Sequence, residues 1–335
     1  MDKVATMAAN TRADLFRETA ARRRLPPGLV EKDFWVCWVL KHLFSIDAFV
    51  GHLLFKGGTT LSKVFHLTER FSEDIDLAVD WEMLGFVGTR SPHAEMSKSK
   101  QAKLLVECQK YIAGEFIDTV QQRVASILGD SGSTATSWEL SIDSDDPHSV
   151  HFRYPSVVEQ LGYLKASVVL ELGTHAEFIP HDRYTIRPLA VDEFTNMFDE
   201  PNCRVLAITA ERSFWEKATI LHQEFHRPKD KPVPGGYSRH YYDVAMMGRA
   251  DVKQWALADM ELLARVVSHK EQFYPRRWAR YDLAVAGSFC LLPSNVCADA
   301  IRRDYEEMKV MIFGEAPSFD EILATLKELE KAVNQ

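Results

Sequence analysis

The stretch from Phe55 to Leu77 constrains this chain more than any other. It reads Phe55-Lys56-Gly57-Gly58-Thr59-Thr60-Leu61-Ser62-Lys63 and then, after a short gap, Phe71-Ser72-Glu73-Asp74-Ile75-Asp76-Leu77. The pattern predicts a short strand running into a glycine turn, a short helix over 59–67, and a second strand over 73–79. Side chains alternate along a strand, so Asp74 and Asp76 share one face while Ile75 and Leu77 turn toward a core. Two carboxylates fixed side by side repel each other unless a cation lies between them. Oxygen ligands of this kind suit a divalent ion, Mg2+ above all. The glycine turn opens a helix whose leading amides, with the Thr59 and Thr60 hydroxyls, offer a grip for phosphate oxygens. Glycine at Gly57 and Gly58 permits the close approach. A phosphate grip beside metal ligands implies nucleotide chemistry. The GxxxxGK[ST] spacing is absent, so this is not a Walker A loop. Each half of the pattern is common alone; the weight lies in their conjunction.

Length and composition set the frame. The chain has 335 residues, enough for about two domains. Its 46% hydrophobic and 26% charged residues exclude a disordered chain, and its net charge of −8 excludes a histone-like binder. Within this acidic chain, residues 212–280 carry 13 basic and 8 acidic side chains, a stretch able to meet phosphate. Arg227, Lys229 and Lys231, then Arg276, Arg277 and Arg280 with Tyr274 and Trp278 among them, are candidates for RNA contact. The five cysteines are far apart and form no CxxC, and the histidines form no HExxH. Reduced thiols in a cytoplasmic protein, without a zinc site, are the expectation. His66 and His222 are assigned to helix surfaces. No signal peptide is expected, and the most apolar run, 34–44, is too short for a membrane span.

Along the chain, helices are expected over 11–23 and from Leu29 onward, with Trp35 and Trp38 buried, and over 95–128. Residues 129–137 read as a loop. Strands are expected at 138–142, 150–154 and 164–172, and 173–204 reads as loop-rich around Pro180, Pro188 and Pro201. From Leu206 the pattern is helical, with Phe214, Ala218, Leu221 and Phe225 on one face. Residues 226–238 read as a mobile polar break. Strands mixed with helices, followed by helices alone, indicate an α+β fold: a helical segment over 1–50, a catalytic core over 51–205 with a helical insertion at about 83–135, and a helical domain over 206–335.

The strand, GG[ST], helix, D-x-D succession resembles the nucleotidyltransferase superfamily of the DNA polymerase β type. The fuller wording, FKGGTTLSK and then RFSEDIDL, resembles the AbiEii/AbiGii toxin family of nucleotidyltransferases. Glu31-Lys32-Asp33-Phe34-Trp35-Val36 resembles that family's EKDxW element. Glu211-Arg212-Ser213-Phe214-Trp215-Glu216-Lys217-Ala218 resembles the helix with its later lysine, and Arg239-His240-Tyr241-Tyr242-Asp243 its R-x-x-Y-D motif. These blocks span roughly residues 29–245. The resemblance implies that an NTP binds near Gly58, Thr59 and Thr60, that metal (Mg2+, with Mn2+ also possible) is held by Asp74 and Asp76, and that an acceptor hydroxyl takes the NMP as pyrophosphate leaves. It implies a third carboxylate, for which Glu171 is the best candidate, with Lys165 a weaker phosphate contact. It implies that Lys217 contacts the triphosphate and that Asp243 orients the lysine, binds metal or accepts a proton. Arg239, His240, Ser72 and Lys63 are further phosphate candidates, while Tyr241 and Tyr242 read as packing. It also implies a toxin with a cognate antitoxin protein, in a toxin–antitoxin or phage-defence system, acting on tRNA 3′ ends. Transfer to a small molecule or protein hydroxyl, and a catalytically silent module on the same fold, are the alternatives.

Overall fold

In a computed structural model of the chain, the described residues are 1–72, 74–87, 97–130, 137–160, 165–174 and 178–335. Glu73, Leu164, residues 95–96, most of the 129–137 loop and part of the 83–135 insertion lie outside them. The chain divides into two compact units. The first comprises Met1–Thr59 and Ser72–Ala207, the second Thr60–Phe71 and Ile208–Gln335.

The elements of the first unit are α1 (Asp2–Ala5), α2 (Ala9–Arg23), α3 (Pro27–Leu43), β1 (Leu53–Lys56), β2 (Asp74–Val79), β3 (Glu139–Ile142), β4 (Ser149–Arg153), β5 (Ser167–Gly173), β6 (His181–Ile186), α7 (Leu189–Glu193) and β7 (Cys203–Ile208), with α5 (Lys98–Tyr111) and α6 (Ile117–Leu128) between β2 and β3. α4 (Gly58–Lys63) carries the chain from this unit into the next. The strands form one mixed sheet in the order β3-β4-β5-β2-β1-β7-β6. β2 is central, antiparallel to β1 and parallel to β5.

α3 starts cleanly because Pro27 sits at its first position, where a missing N–H costs nothing. It is almost wholly buried, and Trp35 stacks on Tyr154 while Trp38 stacks on Phe152 of β4. The acidic residues of its first turns are structural. Glu31 accepts from Ser156 Oγ (2.6 Å), the Val157 amide (2.7 Å) and Gln160 Nε2 (2.8 Å). Asp33 accepts from the Leu189 amide at the start of α7 (2.7 Å). Burial raises the Glu31 carboxyl above its usual range despite these donors.

The second unit packs α8 (Ala210–Phe225), α9 (Ser238–Arg249), α10 (Val252–Ala258), α11 (Met260–Phe273), α12 (Ala298–Met308) and α13 (Phe319–Val333) around one core. That core holds Phe214, Trp215, Ala218, Leu221, Tyr241 and Leu326, and also Leu61 from α4.

Several expectations change. Within residues 173–204, expected to be loop-rich, β6, α7 and the start of β7 also lie. β6 is the edge of the sheet and mostly exposed, so no apolar alternation marks it. Pro188 occupies the N-cap of α7 rather than interrupting it. Phe225, the last member of the α8 stripe, is 37% exposed, whereas His222 is buried and not on a helix surface. His66 is exposed but lies beyond α4, with φ 53°. The 226–238 segment is held in place: Arg227 Nη1 donates to Pro232 O, and the Asp304 carboxylate accepts from the Gly236 and Ser238 amides (2.6 and 2.7 Å). Among the described residues no helix is long and apolar enough to cross a membrane.

Candidate active site

The first unit holds an acidic strand. Ile75 and Leu77 are fully buried on one side of β2, and Asp74 and Asp76 are half-buried on the other. Asp76 is in register with Glu171 of β5 and with Lys56 of β1, and Glu171 in turn with Ser149 of β4. Partners in register point to the same face, at a strand spacing of about 4.8 Å. Lys56, Asp76, Glu171 and Ser149 therefore form a row across four strands, with Asp74 two residues along. Glu171 is exposed, flanked by buried Leu170 and Leu172. Lys165 precedes β5 and has no place in the row.

Gly57 explains how the row stays compact. Its φ is +82°, a region that side chains with a Cβ rarely adopt, and a Cβ there would fall 1.7 Å from Asp76 Oδ2. The sequence pattern suggests that glycine admits a phosphate here; the group it admits in the structure is the Asp76 carboxylate. The Thr59 hydroxyl donates to the Asp74 carbonyl (2.5 Å), tying the start of α4 to β2. Thr59 and Thr60 are both buried, Ser72 and Lys63 half-buried.

The second unit holds, by itself, an ion cluster. The buried Asp243 carboxylate takes a two-pronged contact from Arg70, Nε to Oδ1 at 2.6 Å and Nη2 to Oδ2 at 2.7 Å. Lys217 Nζ lies 2.8 Å from Oδ2. α8 and α9 supply Lys217 and Asp243. Arg70 is placed by backbone pairing, since Arg70 bridges Ile312, the Phe71 amide donates to Met311 O (2.8 Å) and the Phe313 amide donates to Glu69 O (2.7 Å). The Glu69 amide in turn donates to the hydroxyl of Tyr242, the neighbour of Asp243 (3.3 Å).

Burial alone would raise the Asp243 carboxyl; the Arg70 and Lys217 charges overcome it and hold that carboxyl well below the usual range. A carboxylate so weakly basic is a poor proton acceptor and a good anchor. Desolvation, then the Lys217 and Arg239 cations, hold the His240 imidazole well below its ordinary value, so the ring is neutral at pH 7. Arg239 itself is exposed at the start of α9.

The structure thus groups Asp74, Asp76 and Glu171 in one unit and Lys217 with Asp243 in the other. Two residues escaped the sequence reading. Lys56 stands inside the quoted FKGG, and only strand register reveals its face. Arg70 stands one residue before Phe71, and its partner is 173 positions away.

Do these residues suit a divalent metal? The acidic row offers carboxylate oxygens and no imidazole or thiol among the residues in register, and glycine clears the space beside Asp76. That donor set fits a hard ion such as Mg2+ or Mn2+.

Residues 38–325 match the family described as nucleotidyl transferase AbiEii toxin, type IV TA system. No curated protein matches the chain by sequence. Among solved structures, MenT4, a nucleotidyltransferase toxin from Mycobacterium tuberculosis H37Rv, is similar over 98% of each chain at 16% identity, with a TM-score of 0.43. The match over most of the chain establishes that this protein belongs to the AbiEii family of type IV toxin–antitoxin nucleotidyltransferases and is itself a nucleotidyltransferase.

Proposed function

We propose that the protein moves an NMP from an NTP to a tRNA 3′ hydroxyl in the cytoplasm, with Mg2+, and that a cognate antitoxin restrains it. The observation that carries the metal-dependent reading is the in-register row in which Asp76 and Glu171 share a face with Asp74, cleared by Gly57. Asp74, Asp76 and Glu171 would hold the metal, which when bound neutralises phosphate charge and polarises the transferring phosphorus.

The chain's own groups do the rest. The amides of Gly57, Gly58, Thr59 and Thr60 line the turn where phosphate oxygens approach. Thr59 offers its amide, because its hydroxyl is committed to Asp74. Lys63 and Ser72 follow that turn in sequence. Lys217 and Arg239 carry the positive charge for the polyphosphate. Asp243 orients Lys217 and does not move the proton, since the two cations hold its carboxylate ionised.

For an RNA acceptor the second unit offers Trp278, with the Arg227, Lys231 and Arg276 cations 4.9, 5.6 and 5.6 Å from its ring centroid. Arg227 is buried and paired with Glu224 (Nη2 to Oε1, 2.8 Å), so exposed Lys231 and Arg276 are the phosphate contacts in this reading.

The test uses purified protein, total RNA, Mg2+ and each NTP labelled at the α-phosphate. A labelled tRNA-sized band, absent from Asp74→Ala, is expected. Unlabelled RNA with every nucleotide would remove the tRNA reading, and label on protein or small molecules would redirect it.

A further inference from the structure

Outside the acidic row and the ion cluster, one group of side chains has the makings of a second metal centre. His222 in the last turn of α8 and His226 at its C-cap have ring centroids 4.8 Å apart, and a ligand atom of each lies within 4.8 Å of the other and of Cys290 Sγ. We infer that His222, His226 and Cys290 bind a thiophilic divalent ion, Zn2+ foremost, that clips α8 to the 284–297 loop. This inference is independent of the proposed acceptor and of the acidic row.

Three observations support it. First, the His222 ring is oriented as a ligand's would be. Its Nε2 lies 3.0 Å from the Arg280 carbonyl, so Nε2 carries the proton and Nδ1 the lone pair, which accepts from the Cys290 amide (3.1 Å). A metal-binding imidazole commonly donates its other N–H to a backbone carbonyl. Second, His226 Nε2 is closed off from solvent and has no hydrogen-bond partner among the described residues. A buried ring nitrogen without a partner is costly, and a metal would satisfy it. Third, the backbone on both sides of Cys290 is fixed. The Phe289 amide and carbonyl pair with Asn334 (2.9 Å each), and the Leu291 and Leu292 amides donate to Glu330 (2.5 and 3.2 Å). The thiol is thus presented by a rigid loop rather than a free one.

Two imidazoles and a thiolate select Zn2+, Co2+ or copper over Mg2+, which prefers oxygen. Three protein ligands leave a fourth position for water. On binding, the Cys290 S–H bond breaks, its proton leaves to solvent and an S–metal bond forms. The weak Cys290 contact to Ser288 O (3.6 Å) and the Cys290 amide bond to Nδ1 are given up in exchange. The nearby Arg280 guanidinium is paired with Asp282 (2.8 Å), which lessens its opposition to a cation.

Co2+ is the probe, because a cobalt–thiolate bond gives a near-ultraviolet charge-transfer band that oxygen-ligated cobalt does not. The metal-stripped full-length protein is expected to show that band at one Co2+ per chain. Asp74→Ala should keep it, and Cys290→Ser should lose it. His226→Ala, whose Nε2 has no hydrogen bond to lose, should bind Co2+ at least about tenfold more weakly. Zn2+ should compete the band away and raise the melting temperature of wild type but not of Cys290→Ser. Absence of the band at excess Co2+, or an undiminished band in Cys290→Ser, would overturn the site. An unchanged affinity in His226→Ala would overturn it even if Cys290→Ser failed to fold.

Discussion

Gly57 holds the acidic row open twice over, once through its positive φ and once through the absence of a Cβ beside Asp76. In Gly57→Ala the left-handed backbone costs about 1–2 kcal/mol, and the carboxylate must also move aside. A displacement near 1 Å at a reacting centre can lower a rate about a hundredfold. NMP transfer should therefore fall at least about a hundredfold, read by label incorporation, while the fold survives by circular dichroism. Asp243 is the counterpart in the second unit. Asp243→Asn leaves Arg70 and Lys217 buried without a counter-charge, and breaking such a group costs about 3–5 kcal/mol. In wild type the depressed Asp243 carboxyl contributes stability at pH values above the ordinary carboxylate range. That contribution is lost as pH falls through the lowered folded value. Urea unfolding should show a large deficit for Asp243→Asn near neutrality that narrows in acid; a gap independent of pH would contradict the ionic account.

At the scale of elements, α3 makes a separate pH prediction. His42 Nε2 lies 2.8 Å from Asp2 Oδ1, and Arg123 Nε donates to its Nδ1 (3.2 Å), so the ring is held neutral. Burial first, against the opposing pull of Asp2, brings its pKa down to about 4 from 6.5. The unfolded chain therefore binds an extra proton between about pH 6.5 and 4, and stability must fall as pH falls through that window. The loss approaches ~3 kcal/mol. His42→Gln should flatten that slope in urea midpoints taken at stepped pH. Elements also show which parts of the fold sequence patterns expose. The alternation of Asp74, Ile75, Asp76 and Leu77 identified β2 because one face is buried and the other polar. β6 carries no such alternation, being a polar edge. The buried tryptophans of α3 were legible from its apolar run. The roles of Glu31 and Asp33 were not, because their hydrogen bonds reach a loop 125 residues away and the start of α7, 156 residues away. The same holds for Arg70, which sits in no periodic pattern. For His222 and His226 the sequence reading found no metal spacing, because the thiol that joins them comes from a loop beyond 280.

At the scale of the whole molecule, the division into units does not follow the order of the chain. Residues 60–71 belong with 208–335, although they are flanked on both sides by residues of the first unit. They bring Leu61 to the helical core and Arg70 to Asp243. A fragment beginning at Ile208 would contain every helix from α8 onward and still lack Leu61, the Phe65 and Leu67 side chains packed on that core, and one of the two cations around a buried carboxylate. It should show an unfolded or molten far- and near-ultraviolet circular dichroism profile. Supplying 60–71 by a linker should restore cooperative melting.

The same arrangement bears on how the protein is made. Translation delivers residues 60–71 long before Asp243, so Arg70 is made before its carboxylate partner and Leu61 before the core it joins. Folding of the helical unit must wait for the C-terminal helices, a high-separation contact of the kind that slows folding. In a newly made chain the acidic strand can thus be shaped while the lysine–aspartate cluster is still unassembled, and under the proposed function, which needs both, synthesis itself would impose a period of inactivity.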